Sequence, residues 1–402
     1  MDAQRIFRYV PGSTAKLNAL KSMFAVSAPG LEKIVALELH QMGNSDAEPI
    51  AGGVSFNGDL AQLYDANLGL RTASRILVRV DEFHASSFHE LERRAKRIRW
   101  GEYLHPGSRV EFRVTCRKSR LYHSDAVAQR FAEAVAARVE GVGVKTAANE
   151  SGDESEGEGE DSSLAQLFIV RLANDNCVVS VDSSGALLHR RGYRQATGRA
   201  PLRETLAAAM VIGSGWDHRS PLIDPMCGSG VIAIEAALIA RRIAPGIGRE
   251  FRFEAWPNHD KSLWGLLKAK AENQSIIGPI GAILASDRDD GVVESAKSNA
   301  LRAGVLDDIE IQVKPISAIE PPEGSGWLIT NPPYGVRVGD RATLRNLYAQ
   351  LGKTARERAK GYTIAFLSSD AMLESQLKLR LEEVFRTRNG GIPVRLMKSL
   401  QS

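Results

Sequence analysis

Two short stretches of this 402-residue chain hold residue types whose spacing suits chemistry. The first is Asn331-Pro332-Pro333-Tyr334, set after Thr330 and the apolar run Gly326 to Ile329. Adjacent prolines lack a backbone N–H and fix their own φ, so the chain leaves its strand in one rigid, extended shape. Held still in this way, the Asn331 side-chain oxygen and the Pro332 carbonyl can accept hydrogen bonds from both hydrogens of an exocyclic amine on a nucleobase. Such an amine is a poor nucleophile, because its lone pair is delocalised into the ring. Engaging both hydrogens pushes the nitrogen toward tetrahedral and aims that lone pair at an electrophile. Tyr334 offers a ring on which a base flipped out of its stack can rest. A rigid turn without a chemical role would use the same residues.

The second stretch is PLIDPMCGSGVIAIEAALIA, residues 221–240. A strand ends in Asp224, Pro225 and a glycine loop follow, and a helix is predicted from about Ser229, presenting free N–H groups to a ligand in the crevice. The loop is no Walker A loop, because the lysine of GK[ST] is missing. GSGVIA fits the loose dinucleotide pattern, but Asp224 places a carboxylate where a pyrophosphate would lie. The next acid closing a strand, Asp287, also comes too late for that pattern. S-adenosylmethionine fits better, since it has no phosphate and carries an ammonium and a sulfonium. Asp224 can neutralise the methionine end, Gly228 and Gly230 let the backbone approach, and Asp287 can accept from the two ribose hydroxyls. Taken singly, Asp224 could be a helix-capping acid and Asp287 a turn residue.

These residues need a frame. From residue 186 strands and helices alternate, which predicts an α/β unit with a doubly wound sheet and a ligand at the strand carboxyl ends. Strands are expected at 222–224, 282–286, 309–313, 327–330 and 362–367, with a final pair near 384–387 and 393–397 joined through Asn389, Gly390 and Gly391. Upstream, Leu31, Ile34, Val35 and Leu39 mark one face of a helix over 29–41, followed by strands near 53–56 and 76–80. Between 83 and 185 the pattern is helix, strand, helix, acidic loop and hairpin. Leu91, Ala95 and Ile98 form the buried face of the first of these helices, and Ser124 is the expected cap of the second.

Net charge is only +4, yet NESGDESEGEGED (149–161) holds seven acids and no base. The remainder carries +11, a balance suited to a polyanionic partner. The acidic stretch has no apolar residue to bury and is read as a disordered surface loop. Arg93 to Arg99, Arg117 to Arg120 and His189 to Arg194 form three basic clusters that would contact phosphates if they shared a surface. Cys116, Cys177 and Cys227 are too dispersed for a metal site or a disulfide framework and are read as packed thiols. No apolar run approaches the roughly 18 residues of a membrane span, and the N-terminus lacks a signal-peptide core; a cytoplasmic protein is expected.

DPMCGSG and NPPYG, together with HRRGYRQATGRAPLRETLAAAM (189–210), FAVSAPGLEKIVALELHQMG (24–43) and RKSRLYHSDAV (117–127), resemble the bacterial THUMP-domain class I methyltransferases of the RlmL-like group, formerly described as adenine-specific DNA methylases. The resemblance runs from about residue 24 to 400. It implies a ferredoxin-like α+β domain at 21–82, a THUMP RNA-binding domain at 83–185 with the acidic loop at 149–162, and a Rossmann-like methyltransferase domain with a seven-stranded sheet at 186–402. It implies S-adenosyl-L-methionine as cofactor, held by Asp224, Pro225, Gly228, Gly230, Asp287 and Asn331, with the APLRET segment against its methionine moiety. The target-amine site would be Asn331, Pro332, Pro333 and Tyr334, with no metal. The implied reaction is methylation of guanine N2, foremost in 23S ribosomal RNA, with transfer RNA as the second substrate and a monomer assumed. N6-adenine methylation and a non-catalytic RNA-binding role are the competing readings.

One departure is visible. The third strand of this fold often ends in an acid that reads the cofactor adenine, and here the sequence is VKPIS, with Pro315 in that place. Adenine recognition would fall to backbone groups or Ser317. The insertion at 241–264 also matches the family; its Phe251, Phe253, Trp256 and Trp264 are expected to pack over the sheet rather than touch RNA. Arg337 and Arg341 are candidates for holding the target strand.

Overall fold

A computed structural model describes residues 20–147, 165–194, 202–278, 280–334 and 341–400. The acidic stretch, Arg337 and the first two residues of APLRET lie outside the described residues.

The first half forms β1 (Lys21–Ser27), α1 (Glu32–Gln41), β2 (Glu48–Ile50), β3 (Gly53–Gly58), α2 (Leu60–Gly69), β4 (Ala73–His84), α3 (Phe88–Ala95), β5 (Arg109–Arg117), α4 (Ser124–Ala136), β6 (Gly143–Ala147), β7 (Gln166–Ala173) and β8 (Asn176–Asp182). The eight strands make one sheet in the order β2-β3-β1-β4-β8-β7-β5-β6. The pairing of β4 with β8 therefore joins the ferredoxin-like part to the part that follows it. β5 buries Val110, Phe112 and Val114 on alternate positions, and these meet Trp100, Phe131 and Phe168 in an aromatic core.

Local details depart from the sequence reading. α1 starts at Glu32 rather than residue 29, after a turn at Gly30 whose φ of +88° suits glycine. Ser124 is the first helical residue of α4 and not its cap; the preceding residue is His123, and no side chain caps the helix. β6, parallel to β5, was not anticipated.

The second half adds α5 (Glu204–Ser214), β9 (Leu222–Asp224), α6 (Val231–Ala240), α7 (Lys261–Asn273), β10 (Ile283–Asp287), α8 (Asp290–Arg302), β11 (Ile309–Val313), β12 (Gly326–Thr330), α9 (Arg341–Glu357), β13 (Tyr362–Ser368), α10 (Ala371–Ser375), β14 (Leu381–Asn389) and β15 (Ile392–Ser399). The order β11-β10-β9-β12-β13-β15-β14 makes the expected seven-stranded sheet, with β9 to β13 parallel and β15 antiparallel to β13. Direction of winding reverses beside β9, which opens a crevice beyond the carboxyl ends of β9, β10 and β12.

Several contacts among the described residues pack the two halves together. Phe253 stacks on Tyr64 of α2 with ring centroids 4.4 Å apart, and Trp256 Nε1 donates to Gln166 Oε1 at 2.7 Å. The insertion aromatics thus pack as expected, but against the first half and not over the second sheet, because Tyr64 supplies the ring they need. Arg191 is buried and donates to Glu235 Oε1 at 3.2 Å and to the Arg71 carbonyl at 2.6 Å. Finally, Gly30 lies so close to β14 that an added Cβ would collide with the Arg386 carbonyl.

Candidate active site

Asp224 closes β9 and is fully buried. Its Oδ1 accepts from Thr330 Oγ1 at 2.7 Å and from the Met226 N–H at 3.3 Å. Among the described residues its Oδ2 has no hydrogen-bond partner. Burial pushes the carboxyl up to about 7, against the opposing hydrogen bond from Thr330. A buried acceptor left open in this way is costly unless something fills it, and a cationic group would satisfy it best.

The loop after Asp224 turns on two glycines. Gly228 has φ +54° with open space where a Cβ would stand, and its N–H donates to Asp287 Oδ2 at 3.1 Å. Gly230 has φ +84°, and a Cβ there would sit 3.0 Å from the Ala296 side chain. The helix therefore begins at Val231, two residues later than the sequence suggested, because Gly230 turns the chain in the left-handed region first. Asn299 of α8 steadies the loop by donating to the Ser229 carbonyl at 3.0 Å.

Asp287 ends β10 half-buried, its Oδ1 accepting from the Asp289 N–H at 3.2 Å. Each carboxylate oxygen accepts one such bond, so lone pairs remain for a diol. Pro315 follows β11 and starts a short 3-10 turn, Ile316–Ala318, with Ser317 exposed. Lys314 N–H donates to the Asp287 carbonyl, which ties that turn to the same rim.

Asn331 follows Thr330 directly, so the Thr330–Asp224 bond sets the start of the NPPY segment beside the carboxylate. Asn331 Oδ1 is buried and has no partner among the described residues. Two orphaned acceptors, at Asp224 and Asn331, thus stand on either side of one hydrogen bond. The sequence did not anticipate the placing of Tyr334. It is only 8% exposed, and its hydroxyl accepts from Asn389 Nδ2 at 2.7 Å. The ring is therefore packed in a core cluster with Leu206 and Phe385, rather than standing free for a flipped base to rest on.

The basic clusters divide. Arg93, Arg94, Lys96, Arg97 and Arg99 are exposed around α3, as are Arg117, Lys118 and Arg120 beyond β5. Arg94 lies 5.9 Å over the Phe83 ring, and the segment just beyond reaches Asp175, which holds the Arg120 N–H at 2.7 Å. Arg94 of the first cluster and Arg120 of the second are thus linked through the Phe83–Ala85 segment and Asp175. The third does not join them as read: Arg191 is internal, consumed by Glu235, while Arg190 remains exposed. Arg341 is exposed at the start of α9. Cys177 and Cys227 are buried and Cys116 half-buried, all as free thiols. Among the described residues there is no cluster of metal-ligating side chains and no helix long and apolar enough to cross a membrane.

Residues 191–398 match the family model described as the RMKL-like methyltransferase domain, and residues 22–77 match the RlmL ferredoxin-like domain. The chain is 36% identical, over 97% of its length and 99% of the relative's, to slr0064 of Synechocystis sp., a protein named as an RNA methyltransferase. Among solved structures it resembles SMU.472, named as a methyltransferase and complexed with SAH, at 29% identity and a TM-score of 0.82 over 95% of this chain and 98% of that one. It also resembles a Listeria monocytogenes protein named a predicted N6-adenine-specific DNA methylase, at 30% identity and a TM-score of 0.83 over 96% and 97%. TrmN of Thermus thermophilus, at 21% identity and a TM-score of 0.68, shares the fold.

Proposed function

The chain belongs to the RMKL-like methyltransferase-domain family, and from that premise we propose that it methylates the exocyclic N2 amine of a guanine in RNA, with 23S ribosomal RNA as the foremost substrate. S-adenosylmethionine is the cofactor, and it supplies a methyl group made electrophilic by a positively charged sulfur. The single observation that carries the reading is the pair of orphaned acceptors, Asp224 Oδ2 and Asn331 Oδ1, linked through Thr330. One suits a cation and the other an amine hydrogen.

In this proposal Asp224, Pro225, Gly228, Gly230, Asp287 and Asn331 form the cofactor wall. Asp224 neutralises the methionine ammonium, the glycines admit the backbone, and Asp287 accepts from the ribose hydroxyls. Asn331 Oδ1 and the Pro332 carbonyl accept from the two amine hydrogens, and Pro333 keeps those acceptors from drifting. Tyr334 bounds the base pocket. The first half, divided as 21–82 and a THUMP unit at 83–185, would bring the RNA through the exposed cations of α3 and the 117–120 segment.

RNA is favoured over DNA because the Synechocystis relative, matched end to end, is named for RNA. The test is methyl transfer from labelled cofactor to ribosomal RNA, transfer RNA and duplex DNA, followed by mass spectrometry of the digested product. N2-methylguanosine in ribosomal RNA is expected. N6-methyladenine in any substrate, or label in DNA alone, would overturn the reading, and label in transfer RNA alone would move the substrate.

A further inference from the structure

The β14–β15 hairpin extends past the carboxyl end of β13. β15 pairs with β13 only from Arg395 onward, opposite Ser368, whereas β14 and β15 stay paired out to Asn389 and Ile392. Three residues at about 3.3 Å each carry the turn about 10 Å beyond the edge of the sheet, on the side where the parallel strands end. There Asn389 Nδ2 donates to the Tyr334 hydroxyl at 2.7 Å, across 55 residues of sequence. Tyr334 is the last residue of the NPPY segment, and the Thr330–Asp224 bond precedes its first.

The segment is thus pinned at both ends, and the backbone between contains two prolines with no N–H of their own. The hairpin is itself braced from the first half: Gly30 packs against the Arg386 carbonyl, three residues before Asn389. Leu31 is buried in the same core cluster as Phe385 and Tyr334.

We propose that Asn389 is a positioning residue, through which the overhanging hairpin holds the Asn331–Tyr334 segment in its amine-accepting shape. The inference deepens the proposed function and rests on it, since it assigns a residue to that same site. The hairpin also gives the first half a physical path to the reacting atoms, because docking at Gly30 and clamping at Asn389 lie on one strand. A hydrogen bond that fixes geometry changes turnover more than cofactor affinity.

The test compares wild type, Asn389→Ala, Tyr334→Phe and the double variant by three readouts: kcat, S-adenosylmethionine affinity by calorimetry, and hydrogen exchange at the Tyr334 amide without substrate. Asn389→Ala is expected to lower kcat by about tenfold, to leave cofactor Kd within about twofold, and to speed exchange at Tyr334. The double variant is expected to be no slower than Asn389→Ala, because both changes cut one bond. Unchanged kcat and exchange in folded Asn389→Ala, additive losses in the double variant, or loss of cofactor binding along with turnover would each overturn the proposal. Tyr334→Phe removes the bond from the other side, so a failure of Asn389→Ala to fold leaves the question decidable. A wild-type protein that transfers no methyl to RNA would sink the functional reading instead, while the exchange readout still decides the clamp.

Discussion

Thr330 Oγ1 donates to Asp224 Oδ1 at 2.7 Å across the seam between β12 and β9, while Asp224 Oδ2 stays buried with no hydrogen-bond partner among the described residues. One bond thereby fixes the carboxylate and starts the segment that carries Asn331. The consequences are measurable.

The first concerns pH. Below about pH 7 the Asp224 carboxyl holds a proton that a cationic cofactor must displace, so S-adenosylmethionine affinity is expected to rise by up to about tenfold per pH unit toward pH 7 and then level off. In the cofactor-free protein the sign reverses. Between the ordinary value of 3.8 and about 7 the native state keeps a proton that the unfolded chain has released, so stability falls as pH rises through that window. Asp224→Asn should abolish both slopes. Calorimetry and urea denaturation across the window check this, and flat wild-type profiles would refute it.

Asn331→Ala separates chemistry from folding. Its oxygen has no protein partner among the described residues, so truncation should cost less than about 1 kcal/mol of stability. Turnover should fall by about a hundredfold or more, since an aimed acceptor is lost, a larger loss than any in cofactor affinity. Single-turnover kinetics on RNA with parallel calorimetry would show a merely structural asparagine by leaving the rate intact.

Arg191 and Arg190 are neighbours with opposite fates. Arg191→Ala strands buried Glu235 and should cost about 3 kcal/mol or more, whereas Arg190→Ala, at an exposed site, should stay within about 0.5 kcal/mol. Paired thermal melts decide the matter, and equal effects would contradict the buried assignment.

Gly30→Ala probes the brace on β14. A side chain at φ +88° costs about 1–2 kcal/mol, and the Arg386 carbonyl must also move. Faster hydrogen exchange is expected in α1 and β14 together. Protection lost in α1 alone would mean that the two halves are not coupled there.

RNA affinity tests the basic surface. Arg94→Ala and Arg120→Ala should each weaken binding and lower the slope of log K against log salt by up to about 0.9, while Arg190→Ala should not. Filter binding at several salt concentrations reads this out.

What the sequence determined by itself is local. The acid closing β9, the glycines that turn the chain into α6, the acid closing β10 and the NPPY segment after β12 were each legible, because strand ends, positive-φ glycines and paired prolines are written in adjacent residues. The seven strands of the second sheet were legible for the same reason, since alternation of apolar runs and turn residues needs no distant partner. Tertiary structure alone decided what covers what. Aromatic character says that Phe253 packs inward but not that Tyr64 lies on top of it, and a run of basic residues looks the same whether it faces phosphate or, as with Arg191, a buried glutamate. β6 pairs in parallel with a strand more than twenty-five residues away, and such pairing leaves no short-range trace. Asn389 read as a turn residue until the fold carried that turn beyond the end of β13 to Tyr334. Contacts between distant segments depend on how the sheets twist and dock as whole bodies, and that is a property of the assembled chain.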